Sequence, residues 1–154
     1  MISSNQYQDI EIQQNADFQN VITLDSSFTM DSDHKYAAII VTDYDNSTFT
    51  GPDKTTGTDG ISGSSDAWSS GSVDEVYFDV VADISAGTIT LTLPSEASQY
   101  FSDDFEGHWD LVEKDEQSPP ANVTQNAWVR HIQGDVIISK GAVKLNHTFT
   151  ASVA

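Results

Sequence analysis

At 154 residues the chain has the length of one domain, and it carries 24 acidic side chains against 6 basic ones, a formal net charge of -18. A field of that sign repels nucleic acid and anionic membrane surfaces, so neither is expected as a partner. The absence of cysteine excludes disulfides, thiolate metal sites and cysteine nucleophiles, and leaves stability to packing and hydrogen bonds.

The opening residues, MISSNQYQDIEIQQ, have neither the positive nor the apolar region of a signal peptide. No apolar run approaches the roughly 18 residues that cross a bilayer. Residues 7–14 read as a first strand with Ile10 and Ile12 in phase. After a turn at Asn15-Ala16-Asp17, Phe18, Ile22 and Leu24 share one face of a second strand, where Asn20 is the polar exception. Residues 25–34 are rich in turn formers and read as a loop that tucks Phe28 and Met30 under the sheet. Lys35 to Tyr44 is apolar on both faces from Ala37 to Val41. Its β-branched run Ile39, Ile40, Val41, Thr42 decides for a central strand over a buried helix.

From Gly51 to Ser72 the composition turns to Gly, Ser, Thr and Asp, with Ile61 and Trp68 as the large hydrophobes. This predicts a long surface loop, with Trp68 either tucked back or shown to a partner. Asp74 to Ile84 reads as a strand with Val76, Phe78 and Val80 on one face, and Ser85-Ala86-Gly87 turns it into GTITLTLP, where Ile89, Leu91 and Leu93 alternate with threonine. Pro94 stops that strand and Ser95 is placed to cap one short helix over 95–101.

Trp109 and Leu111 are in phase, as are Trp128, Arg130 and Ile132, predicting two antiparallel strands joined by a loop that holds Pro119-Pro120. Gly134 reads as a bulge or bend that sends Val136 and Ile138 to the opposite sheet. Beyond Ser139, Val143, Leu145, Phe149, Ala151 and Val153 share one phase, broken by His147. Such a segment either adds to its own sheet or pairs with a neighbouring subunit. The expected fold is therefore all-β: an antiparallel β-sandwich over residues 1–139 and a strand-like extension over 140–154. The partner-binding candidates are Trp68, Ile61, Val143, Leu145 and Phe149.

Sharper chemistry meets simpler explanations. Asp43, Asp45 and Ser47 alternate, as do Asp31 and Asp33, and calcium would be the ion for such oxygens. Thr48 and Lys54 stand where an EF-hand needs Gly and Glu, so the reading is a solvated acidic turn and no cofactor is assigned. His108, His131 and Asp110 hold the residue types of a zinc site, but their spacing fits no zinc motif and they read as cross-strand polar pairs on a solvent face. Ser62 and Ser64 lack a strand-to-helix elbow, and paired carboxylates carry no information in so acidic a chain. No catalytic residue is assigned. Trp68, Trp109 and Trp128 suggest a carbohydrate platform; for the last two, packing is the better account. The Asn-x-Ser/Thr sequences at Asn46, Asn122 and Asn146 read as chance in an Asn- and Thr-rich chain.

Taken together, Gly87 to Leu93, Ser95 to Ser98, Gly107 to Asp115 and Arg130 to Ser139 resemble a family of small tailed-bacteriophage virion proteins, over about residues 7–139. The resemblance implies an immunoglobulin-like β-sandwich acting as a non-enzymatic structural adaptor in the tail or baseplate, in many copies and bound to other virion proteins. Alternatives are a capsid decoration protein and a carbohydrate-binding module for host attachment. The chain departs from the family pattern in the 51–72 stretch, around Pro119 and Pro120, and after Ser139. Those are the places where partner-specific contacts are expected.

Overall fold

The computed structural model describes residues 6–24, 30, 34–54, 68–115 and 128–140. Its strands are β1 (Gln6–Tyr7), β2 (Ile10–Gln13), β3 (Phe18–Thr23), β4 (His34–Val41), β5 (Phe49–Lys54), β6 (Trp68–Val73), β7 (Val76–Tyr77), β8 (Asp79–Asp83) and β9 (Thr88–Leu93). One helical turn, α1 (Ser95–Ser98), precedes β10 (Phe105–Asp115) and β11 (Trp128–Ser139). The larger sheet has the order β1-β11-β10-β4-β7 with β2 also on β11, the smaller is β3-β9-β8, and β5 pairs with β6. Among the described residues no helix is long and apolar enough to cross a membrane.

The alternation that the sequence carries becomes the packing of the two sheets. Ile89, Leu91 and Leu93 of β9 point inward with no solvent exposure, and their threonine neighbours point out. From the larger sheet they meet Ile10, Ile12, Ala38, Ile40, Trp109, Leu111, Ile132, Val136 and Ile138 in one continuous core. Burying each large aliphatic side chain contributes about 1.5–3 kcal/mol, so this double row is what holds the layers together. The expected all-β sandwich with one short helix is the observed class. β1 and β2, however, run parallel to β11 in one shared register, so the larger sheet is mixed.

Several details differ from the expectation. The 51–72 stretch begins and ends as strands: β5 and β6 form a hairpin in which Gly51 faces Gly71 and Pro52 faces Ser70. Backbone pairing needs no apolar alternation, so this hairpin leaves little trace in composition. Residues 55–67, Ile61 among them, lie outside the described residues. The stretch from Asp74 to Ile84 is two strands. β7 pairs with β4, Phe78 donates its N–H to the Ala38 carbonyl at 3.0 Å, and the chain then crosses to the smaller sheet as β8. Its inward phase is as expected, with Val76 and Phe78 buried.

The helix is shorter than 95–101 and its N-cap position is Pro94, whose carbonyl receives the N–H groups of Ala97 and Ser98. Ser95 instead donates its N–H to Asp17 Oδ1 at 2.7 Å, tying the helix to the corner between β2 and β3. That corner is fixed further by Gln14 Nε2, which donates to the Phe101 carbonyl at 2.8 Å, and by Ser98 Oγ, which donates to the Ala16 carbonyl at 3.1 Å. Asn15 turns it with φ 66, a left-handed conformation that asparagine tolerates.

Gly134 neither bulges nor moves β11 to another sheet. Val136 and Ile138 stay paired with Gly107 and Phe105 of β10. Gly134 lies opposite Trp109, whose indole N–H donates to the Gln8 carbonyl at 2.7 Å. A side chain at position 134 would run into that same carbonyl, so glycine is what lets the first strand close over the buried tryptophan. The irregularity lies earlier, where Leu111 pairs with Ile132 and Val112 with Arg130, leaving His131 as the extra residue of a bulge.

Candidate functional site

The bulge has a chemical consequence. It breaks the phase expected for Trp128, Arg130 and Ile132, so that Arg130 faces solvent while His131 and Ile132 are both buried. His131 thereby enters the inner face of the sheet, in line with Leu111 and Glu113. His34 and Tyr36 arrive on the same face from β4, because Tyr36 pairs with Glu113 in the ladder and His34 is two residues along.

Glu113 receives three donors there. His34 Nδ1 lies 2.6 Å from Oε2, Tyr36 Oη donates to the same oxygen at 2.8 Å, and His131 Nε2 lies 2.9 Å from Oε1. A carboxylate only accepts, so the proton sits on Nδ1 of His34 and on Nε2 of His131. Burial pushes the Glu113 carboxyl up, but the hydrogen bonds from His34, Tyr36 and His131 outweigh it and hold the group below its usual value of 4.5. An ionised carboxylate held this way is a poor proton acceptor. What it does well is clamp β4, β10 and β11 together beyond the end of the apolar core.

The outer face of the same strands carries a third histidine. His108 pairs with Asp135 in the ladder, and its Nδ1 lies 2.9 Å from Asp135 Oδ1. Its ring stacks on Tyr44 with centroids 5.2 Å apart. The pair borders an open cleft of about 430 Å³ whose wall includes Thr42, Glu106 and Ile137. The Thr42 hydroxyl is directed away from chemistry, since it donates to the Ser47 carbonyl at 2.9 Å. Asp110 shares the outer face with His108, as expected, and takes a 2.8 Å hydrogen bond from Arg130 Nε; His131, expected on a solvent face too, is buried instead, because the bulge turns it inward. The three residues therefore do not converge: His108 and His131 lie on opposite faces of the sheet.

The acidic turn after β4 serves its own backbone. Asp43 Oδ1 accepts the N–H groups of Asp45 at 3.0 Å and Ser47 at 3.1 Å. Hydrogen bonds from Ser47, side chain first and then backbone, hold the Asp43 carboxyl below its ordinary value. Asp31 and Asp33 lie outside the described residues. Among the described residues no group of three or more His, Cys, Asp or Glu side chains is placed to hold a metal ion.

Of the partner-binding candidates, Trp68 opens β6 and is half-buried, packed against the core. Ile61, Val143, Leu145 and Phe149 lie outside the described residues. The structure adds exposed apolar side chains outside that set of candidates. Val21 is 57% and Val81 66% exposed, and both pair with Thr90, forming one row across the outer face of the smaller sheet. The signal was present, because in each strand the valine holds the outward phase. No protein-family model matches the chain, and a search of curated proteins finds no match.

Proposed function

We propose that this chain is a non-enzymatic structural protein of a tailed-bacteriophage virion, an adaptor in the tail or baseplate that acts in many copies through contacts with other virion proteins. The observation that carries the reading is the row Val21, Thr90, Val81: an uncharged, partly apolar strip on the outside of a chain whose net charge is -18. Apolar side chains left outside a sheet, with carboxylates beyond them, are suited to cover by a protein partner. The resemblance of Gly87 to Leu93, Gly107 to Asp115 and Arg130 to Ser139 to small virion proteins supports the same reading. Trp68 and Ile61, with Val143, Leu145 and Phe149 of the extension, are the further contact residues in it.

The test is quantitative mass spectrometry of purified particles from the phage that encodes the chain. The expected result is a fixed stoichiometry relative to the other virion proteins, and absence from the particles would sink the proposal. Imaging the particle with labelled chain separates a tail adaptor from a capsid decoration protein. For the carbohydrate reading, Trp68 would have to offer a ring face, and part of its surface is against the core. A glycan-array signal lost in Trp68→Ala would put that reading first.

A further inference from the structure

Asparagine followed by a small residue is a weak point of any polypeptide in water: the backbone nitrogen of the next residue attacks the side-chain amide, and ammonia leaves. Bulk at the following position slows the attack, so the sequence ranks the candidates. Asn46 precedes Ser47, whereas the other asparagines precede Gln, Ala, Val or His and none precedes Gly. Asn46 is also exposed, in the turn after β4, where its backbone is left-handed at φ 54.

The turn holds both reacting groups in place. Ser47 donates the N–H of the attacking nitrogen to Asp43 Oδ1 at 3.1 Å, and its carbonyl accepts the Thr42 hydroxyl at 2.9 Å. Asn46 donates its own backbone N–H to the Asp43 carbonyl at 3.2 Å. Its side-chain Nδ2 is turned toward Glu75, in a long hydrogen bond of 3.4 Å to Oε2. We propose that Asn46–Ser47 is the chain's site of spontaneous deamidation, and that Asp43 restrains the reaction by holding the Ser47 N–H. The proposal stands apart from the virion reading.

In the reaction the Ser47 nitrogen gives up its proton and bonds to Asn46 Cγ, the Cγ–Nδ2 bond breaks, and the leaving nitrogen takes the proton and departs as ammonia. A five-membered imide is left. Water then opens that ring at either carbonyl, giving aspartate or its isomer linked through the side chain, so that one amide and one water become one carboxylic acid and one ammonia. The attack needs the nitrogen stripped of its proton, and a carboxylate bonded to that N–H disfavours the negative charge that results. Asp43 is also a poor base, because the hydrogen bonds from Ser47 hold its carboxyl below the ordinary value. The product carries a carboxylate facing Glu75, which also accepts the Tyr77 hydroxyl at 2.9 Å. A hydrogen bond between the turn and the start of β7 thereby becomes a like-charge contact.

Peptide mapping by mass spectrometry reads the conversion at each asparagine while the full chain stands in mildly alkaline buffer. In the chain unfolded by guanidinium chloride, Asn46 is expected to convert ahead of the other asparagines, and in the folded chain it is expected to convert more slowly. Asp43→Ala frees the Ser47 N–H. It is expected to speed conversion at Asn46 by about ten- to hundredfold, the factor that a hydrogen bond to a charged group represents, with Asn15 and Asn20 unchanged. Asp43→Asn keeps the size of the side chain and an acceptor oxygen but removes the charge, and is expected to give a smaller rise, again at Asn46 alone. Another asparagine converting first in the unfolded chain overturns the proposal, as does conversion at Asn46 that is equally fast folded and unfolded. No rise in either variant, or in both a rise shared with Asn15 and Asn20, also overturns it.

Discussion

On the inner face of the β10–β11 pair His131 meets Glu113 at 2.9 Å, and on the outer face His108 meets Asp135 at the same 2.9 Å. The side chains of the inner pair are 6% and 11% exposed, those of the outer pair 38% and 66%. Water does much of the work for the outer pair and is largely withheld from the inner one, so the inner carboxylate needs protein donors and has three. The comparison teaches that a histidine–carboxylate contact has no fixed value. Desolvation makes it costly to break, while solvent and salt make it nearly neutral.

The strongest way to test the contrast is to remove the inner carboxylate. Glu113→Ala leaves His34, Tyr36 and His131 without their common acceptor, and is expected to destabilise the fold by about 3–5 kcal/mol in urea unfolding, the range for breaking a buried pair. A loss below about 1 kcal/mol would mean that the cluster behaves as a surface pair. The same residue gives a pH signature. Its folded-state value lies below its unfolded one, so its stabilisation is complete above the usual carboxylate value of 4.5 and is lost as pH falls through the lowered folded value. The stability difference between the unaltered chain and Glu113→Gln is therefore expected to shrink as the pH is lowered from 4.5. A difference that stays constant or grows would contradict the lowered value.

A smaller loss is expected at Gly134, where the inner face carries packing rather than charge. Gly134→Ala places a methyl group against the Gln8 carbonyl that accepts the Trp109 indole N–H. The first strand must shift or that hydrogen bond must lengthen, at about 1–3 kcal/mol for an overpacked site. Indole emission reports the outcome: a variant with unaltered emission and stability would show that the first strand is not held over Trp109 as described.

Much of the inner face was legible in the sequence and much of its chemistry was not, for separable reasons. Ile89, Leu91 and Leu93, the β-branched run of β4, and the shared phase of Trp109 and Leu111 fixed the strands, because periodicity is local and the core simply continues it. Glu113 holds the phase of Trp109 and Leu111, and His34 and Tyr36 hold the phase of Ala38 and Ile40. A cluster of inward polar residues was thus present in the pattern and went unread. The bulge at His131 had no such signal. It depends on register between strands whose joining residues, 116–127, lie outside the described set. Gly134 drew the bulge to itself because a glycine in a strand signals either a bulge or a close approach, and only the neighbouring strand decides which. The β5–β6 hairpin escaped because its Gly51, Ser70 and Gly71 pair through backbone alone.

The least effect is expected at the outer pair, which makes it the control that gives the inner result its meaning. His108→Ala removes a contact to Asp135 and a stacking partner of Tyr44, both on the solvent side. Exposed pairs contribute about 0–1 kcal/mol and weaken as salt rises. A double-mutant cycle between His108 and Asp135 should give a coupling that fades between about 0.05 and about 0.5 M salt, where screening shortens the Debye length. The corresponding cycle between His131 and Glu113 should be larger and nearly indifferent to salt, because burial keeps mobile ions away from it. Equal couplings, or equal salt dependence, would mean that the two faces do not differ in the way their exposures indicate. In that case the bulge that turns His131 inward would have no energetic purpose beyond local geometry.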